Sequence, residues 1–124
     1  MPITFHEVLK FAKQRKDCFA NDADFEQFCA ELEANPTIGV EVPNAGGARK
    51  ARWADIKRGK GKSGGLRIYY YFYKEVNTIY LFAVYNKNTV DLTPVQRGEV
   101  AAAIQSILTD TETKVETEPT EIEE

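Results

Sequence analysis

Histidine, cysteine and long apolar runs are scarce in this sequence. Its 124 residues hold one histidine, His6, and two cysteines, Cys18 and Cys29. A disulfide framework needs more cysteines and an oxidising compartment, so none is expected. A single histidine far in sequence from either thiol makes no ligand set, and the reading calls for no metal or cofactor. Cys29 falls on an apolar helical face as a small hydrophobe, and Cys18 reads as an ordinary thiol. No stretch approaches the ~20 consecutive apolar residues of a membrane span. Met1 to Glu7 lacks the basic and apolar regions of a secretory leader, so a cytoplasmic protein with no membrane partner is expected.

Acids are also missing, but only from the middle. From Arg49 to Arg67 eight basic residues face one acid, Asp55, a net of +7. From Asp110 to Glu124 seven acids face one lysine, a net of −6. The formal charge of −3 therefore hides a net of +3 over residues 1–109. A concentrated cationic patch on a small body points to a polyanionic partner. The length suits one domain, expected over residues 1–109. Residues 110–124 have almost nothing to bury and read as a disordered acidic tail.

Periodicity supplies the fold class. Phe5, Val8, Leu9 and Ala12 suggest a helix from Thr4 to about Asp17, with Thr4 and Glu7 as a capping box. A short strand at Ile3 to Phe5 competes with its first turn. Phe25, Phe28, Cys29 and Leu32 mark a second helix, entered at Asn21 or Asp22 and ended by Asn35-Pro36. The period then changes. Ala48 to Ala54 alternates, with Lys50 and Arg52 opposite Arg49, Ala51 and Trp53. Leu66 to Tyr73 alternates likewise, and Thr78 to about Asn86 makes a third strand. Short spacings imply an antiparallel meander. Thr93-Pro94-Val95-Gln96 opens a last helix with a stripe of Val100, Ala101, Ile104, Ile107 and Leu108. The expected class is α+β, one layer of helices on a twisted, mainly antiparallel sheet.

Two stretches could carry chemistry. The loop Asp55 to Gly65 contains Gly61-Lys62-Ser63, which echoes a phosphate-binding loop. Ile56 stands where the first glycine belongs and a strand follows instead of a helix, which excludes that reading. A mobile loop offering Lys57, Arg58, Lys60 and Lys62 to backbone phosphates fits better. The sharper constellation is Lys50, Arg52, Arg67 and Lys87, with Arg49 beside it. Its ordinary alternative is a solvated face with salt bridges, which the scarcity of acids weakens. Tyr69 and Tyr71 share the face of Arg67 and could stack on bases, although strand tyrosines mostly pack. Tyr70 and Trp53 read as packing residues, and His6 as a surface residue.

The run Gly46-Gly47-Ala48-Arg49-Lys50-Ala51-Arg52-Trp53 resembles the first sheet segment of HigB-like toxins in the RelE/ParE superfamily. Gly59 to Tyr70, Tyr85-Asn86-Lys87-Asn88, Asp91-Leu92-Thr93-Pro94 and Asn35-Pro36 extend that resemblance over roughly Phe25 to Leu108. It implies a compact RelE-like microdomain and an mRNA interferase, an endoribonuclease acting on messenger in the ribosomal A site. It also implies a cognate antitoxin that covers the active face, so the expected partners are antitoxin, mRNA and ribosome. Such cleavage needs a deprotonated 2′-hydroxyl, a stabilised phosphorane and a protonated leaving oxygen. Without a histidine pair, Lys50 or Lys87 becomes the candidate base, since neighbouring cations favour a neutral lysine. Arg52 and Arg67 can fork onto phosphate. The family archetype stacks a base on a tyrosine near the start of its last helix. Thr93 occupies that region here, which moves the role to Tyr69, Tyr71 or Tyr85. Two alternatives stand beside this one: a ParE-like gyrase poison, and a non-catalytic nucleic-acid-binding module whose acidic tail competes for the basic face.

Overall fold

Strand alternation organises the chain, and both faces of the resulting sheet are apolar. The computed structural model describes residues 2–61, 65–86 and 92–121, with 110–121 as backbone only. The chain order is β1 (Thr4–Glu7), α1 (Phe11–Cys18), α2 (Asp22–Ala34), β2 (Val40–Glu41), β3 (Arg49–Trp53), β4 (Leu66–Tyr73), β5 (Thr78–Asn86) and α3 (Pro94–Glu121). The sheet runs β1-β5-β4-β3-β2. β1 lies parallel to β5, and the other pairings are antiparallel. The class is α+β, as the alternating period predicts. Among the described residues no helix is long and apolar enough to cross a membrane.

Two expectations need correction. Thr4–Glu7 is a strand, not the first turn of a helix: its backbone pairs with Thr78–Leu81, and Val8 N–H extends the contact to the Leu81 carbonyl at 3.0 Å. The apolar spacing from Phe5 suits a helix equally well, and a partner distant in sequence decides the outcome. Helices also cover both sheet faces, not one. Phe11, Phe28 and Leu32 of α1 and α2 pack with Ile68, Tyr70 and Ile79. Val100 and Ile104 of α3 pack with Tyr69 and Phe82 on the opposite side. Tyr69 at 2% exposure and Phe82 at 1% could not be left in water, so a second layer is required.

Local chemistry explains the joints. Asn21 caps α2 by accepting from Asp24 N–H at 2.8 Å. Thr93 and Gln96 form the reciprocal box expected of them, at 2.9 and 3.1 Å. β1 reaches only as far as Leu81 along β5. Beyond it, Gln14 of α1 accepts from Val84 N–H at 3.1 Å and so covers a strand edge. A bulge in the β4–β5 register places both Phe82 and Ala83 in the α3-side core.

One tyrosine ties the other end of the sheet together. The Tyr70 hydroxyl donates to the Pro36 carbonyl at 2.7 Å and accepts from Gly39 N–H at 3.0 Å. Gly39 is obligatory there, since a Cβ would stand 2.9 Å from both the Lys50 carbonyl and the Tyr70 ring. The connection from α2 into β2 thus hangs on the phenol. Tyr70→Phe should lower unfolding free energy by about 1–3 kcal/mol, because it strands Gly39 N–H in the interior. Urea denaturation checks this, and an unchanged midpoint would contradict it.

Candidate functional site

Register decides which charges meet. Arg52 of β3 pairs with Arg67 of β4, and Arg67 pairs with Tyr85 of β5. Directly opposed residues share a face, so Arg52, Arg67 and Tyr85 form one row across three strands. The adjacent row on that face is Lys50, Tyr69 and Ala83. Three of the four residues named as a constellation therefore converge: Lys50, Arg52 and Arg67. Lys87, the fourth, lies outside the described residues, as does Lys62.

The surroundings of these cations are aromatic rings, backbone and two glutamates, Glu41 beside Lys50 and Glu31 beside Lys50 and Arg52. Tyr69 is buried and meets the Tyr85 ring edge-on at 6.2 Å between centroids. That makes Tyr69 a floor, and leaves the half-buried Tyr85 as the ring better placed to meet a base. Arg67 is half-buried, with Nη1 3.3 Å from its neighbour's carbonyl at Leu66. Arg52 is exposed. Tyr71 is half-buried in the α3-side core and stands over Gly47.

Other candidate cations are placed elsewhere. Arg49 lies on the opposite face, beside Tyr70, and donates to the Gly39 carbonyl at 2.8 Å. Lys57 Nζ donates to the Lys16 and Asp17 carbonyls at 3.1 and 3.0 Å, capping the end of α1. Arg58 Nε lies 2.6 Å from Asp55, which is 2% exposed. Lys60 is exposed and pairs its backbone with Asp55. The expected mobile loop is, over Asp55 to Lys60, an ordered turn. Its hydrogen bonds join Asp55 N–H to the Lys60 carbonyl at 2.8 Å and Lys60 N–H to the Asp55 carbonyl at 2.9 Å. Gly65 is there for close approach, since a Cβ would stand 2.2 Å from the Trp53 carbonyl.

Sequence reasoning missed one cation. Arg97, in the second turn of α3, lines a cavity of about 160 Å³ together with Lys50, Tyr69, Glu41 and Leu92. The available signal was its position three residues before Val100, on the stripe that α3 turns toward the sheet. The thiols offer no alternative chemistry. Burial pushes Cys29 up to about 12 and raises Cys18, so both stay protonated at neutral pH. Trp53 is structural, donating to the buried Asp24 carboxylate at 2.9 Å. His6 is exposed and stacks on Tyr80.

No protein-family model matches the chain. Its fold is similar to that of a mutant of the E. coli toxin RelE in the free state, with a TM-score of 0.51 and 14% identity. The superposition covers 69% of this chain and 84% of the toxin. At that identity the likeness is one of fold, and the RelE-like architecture is shared.

The opposed arginines generate a direct test. Like charges facing each other across a sheet are destabilising, and salt screens the exposed member. Arg52→Gln should therefore raise the melting temperature of the free protein by a few degrees at low salt. The gain should vanish near 1 M salt, where the Debye length falls to about 3 Å. A loss of stability at low salt would show that Arg52 is held by the protein itself.

Proposed function

We propose that the chain is the toxin of a type II toxin–antitoxin pair, an mRNA interferase of the HigB-like kind that cuts messenger, in the ribosomal A site, and so stops translation. The observation that carries this reading is the gathering of Lys50, Arg52 and Arg67 on one face of a RelE-like sheet. A cationic row over buried tyrosines suits a phosphodiester with a base stacked beside it. The resemblance of the Gly46–Trp53 and Gly59–Tyr70 segments to HigB-like toxins supports the same class, and with it a cognate antitoxin as partner.

The chemistry assigned to the site is transesterification. The ribose 2′-oxygen attacks the adjacent phosphorus as its proton passes to a base, for which Lys50 is the group at hand. Arg52 and Arg67 hold the non-bridging oxygens as charge builds on the phosphorane. The P–O5′ bond breaks and the 5′-oxygen takes up a proton, leaving a 2′,3′-cyclic phosphate and a 5′-hydroxyl. Lys87 remains a candidate for the acid or base role. The guanidinium fork of Arg67, flanked by Arg52 and Tyr85, is the central phosphate clamp.

Removing that clamp should disarm the protein without unfolding it. Arg67→Ala should restore growth to cells in which the wild-type chain, induced to equal levels, arrests translation. Primer extension on translated messenger should show stops with wild type and a loss of at least about tenfold with the variant. A fully toxic, fully cutting Arg67→Ala protein would contradict the assignment.

A further inference from the structure

Arg97 is tied into the fold through its backbone, its amide donating to the Thr93 carbonyl at 2.9 Å. Its Nε is buried without a hydrogen-bond partner among the described residues. A buried donor on a permanently charged group is expensive to leave unmet. Such exceptions in native proteins call for a cause. Glu41 lines the same cavity, yet no ion pair joins it to Arg97 among the described residues. The backbone of α3 does not explain the placement either. Thr93 and Gln96 already satisfy each other's amides at the helix start.

The cavity shows what the side chain is placed for. Its volume of about 160 Å³ equals roughly five waters at ~30 Å³ each, room for one compact anionic group. Lys50 and Tyr69 form its wall on the sheet side. Those two residues also make up the row next to Arg52 and Arg67. Same-face neighbours along a strand lie about 7 Å apart, so an anion at Arg97 sits beside, not upon, the Arg52–Arg67 clamp.

We propose that Arg97, across the cavity from Lys50, forms a second phosphate subsite, which holds the phosphodiester neighbouring the scissile one on the same RNA strand. This rests on the ribonuclease reading and extends it. Arg52 and Arg67 address the reacting phosphate, while Arg97 fixes the strand's path along α3. Its contact is the same in ground and transition states, so it contributes to binding and not to the chemical step.

The test uses the full chain and a 2′-O-methyl oligoribonucleotide that cannot be cut. Arg97→Gln should weaken binding about tenfold at low salt. It should also flatten the dependence of log K on log salt by about 0.7, the share of one phosphate on a single strand. With cleavable RNA the variant's KM should rise by a similar factor, with kcat within about twofold of wild type. Arg97→Lys should recover the salt slope, because the charge is kept, while losing part of the affinity with the fork. Wild-type affinity and slope in Arg97→Gln, beside a wild type that binds and cuts, would overturn the subsite alone. Arg97→Lys no better than Arg97→Gln, both with a lowered melting temperature, would make Arg97 a structural residue and also overturn it. A wild type that neither binds the analogue nor cuts RNA would overturn the ribonuclease reading, and the subsite with it.

Discussion

Opposing two guanidinium groups across neighbouring strands costs a fold something, and the register of β3 on β4 does this with Arg52 and Arg67. A cross-strand pair is worth about 0.2–1 kcal/mol either way, so the penalty is small but unfavourable. The register persists because hydrophobic burial outweighs that repulsion. Ala51, Leu66, Ile68 and Tyr70 are buried on the other face, and a slip by one residue would exchange the two faces wholesale. Burying one large apolar side chain contributes about 1.5–3 kcal/mol. Hydrophobic alternation on one side thus holds charge on the other.

Two buried acids near β3 serve the frame. Asp55 is buried against Arg58, and Asp24 is buried against Trp53. Both stabilise the frame around β3. Lys57 likewise spends its charge on the carbonyls that end α1. Of a segment carrying a net of +7, only part is directed toward one surface. The fold sorts structural cations from those of the candidate site, a distinction that net charge cannot make.

What was legible in the sequence was local. The strands Leu66–Tyr73 and Thr78–Asn86 follow from a period of two, and the Thr93–Gln96 box from four consecutive residues. Lys50 and Arg52 on one face follow from the same alternation. What stayed hidden depends on partners far along the chain. Phe5, Val8 and Leu9 fit a helical stripe until β5 is available to pair with Thr4–Glu7. Arg49 and Lys57 look as free as Arg52 until the carbonyls of Gly39 and Asp17 are in place. The placement of Arg97 beside Lys50 emerges only when α3 is laid on the second face of the sheet, a layer that the strand pattern did not require until Tyr69 proved buried.

In the proposed mechanism the Lys50, Arg52 and Arg67 face drives attack of a ribose 2′-oxygen on its own phosphodiester. Mass spectrometry of RNA ends, produced by the purified chain on translating ribosomes, addresses it directly. Fragments should end in 2′,3′-cyclic phosphate and begin with 5′-hydroxyl, with no cut where a single 2′-deoxynucleotide stands at the scissile position. Fragments with 3′-hydroxyl and 5′-phosphate ends, or undiminished cutting at the deoxynucleotide, would contradict it.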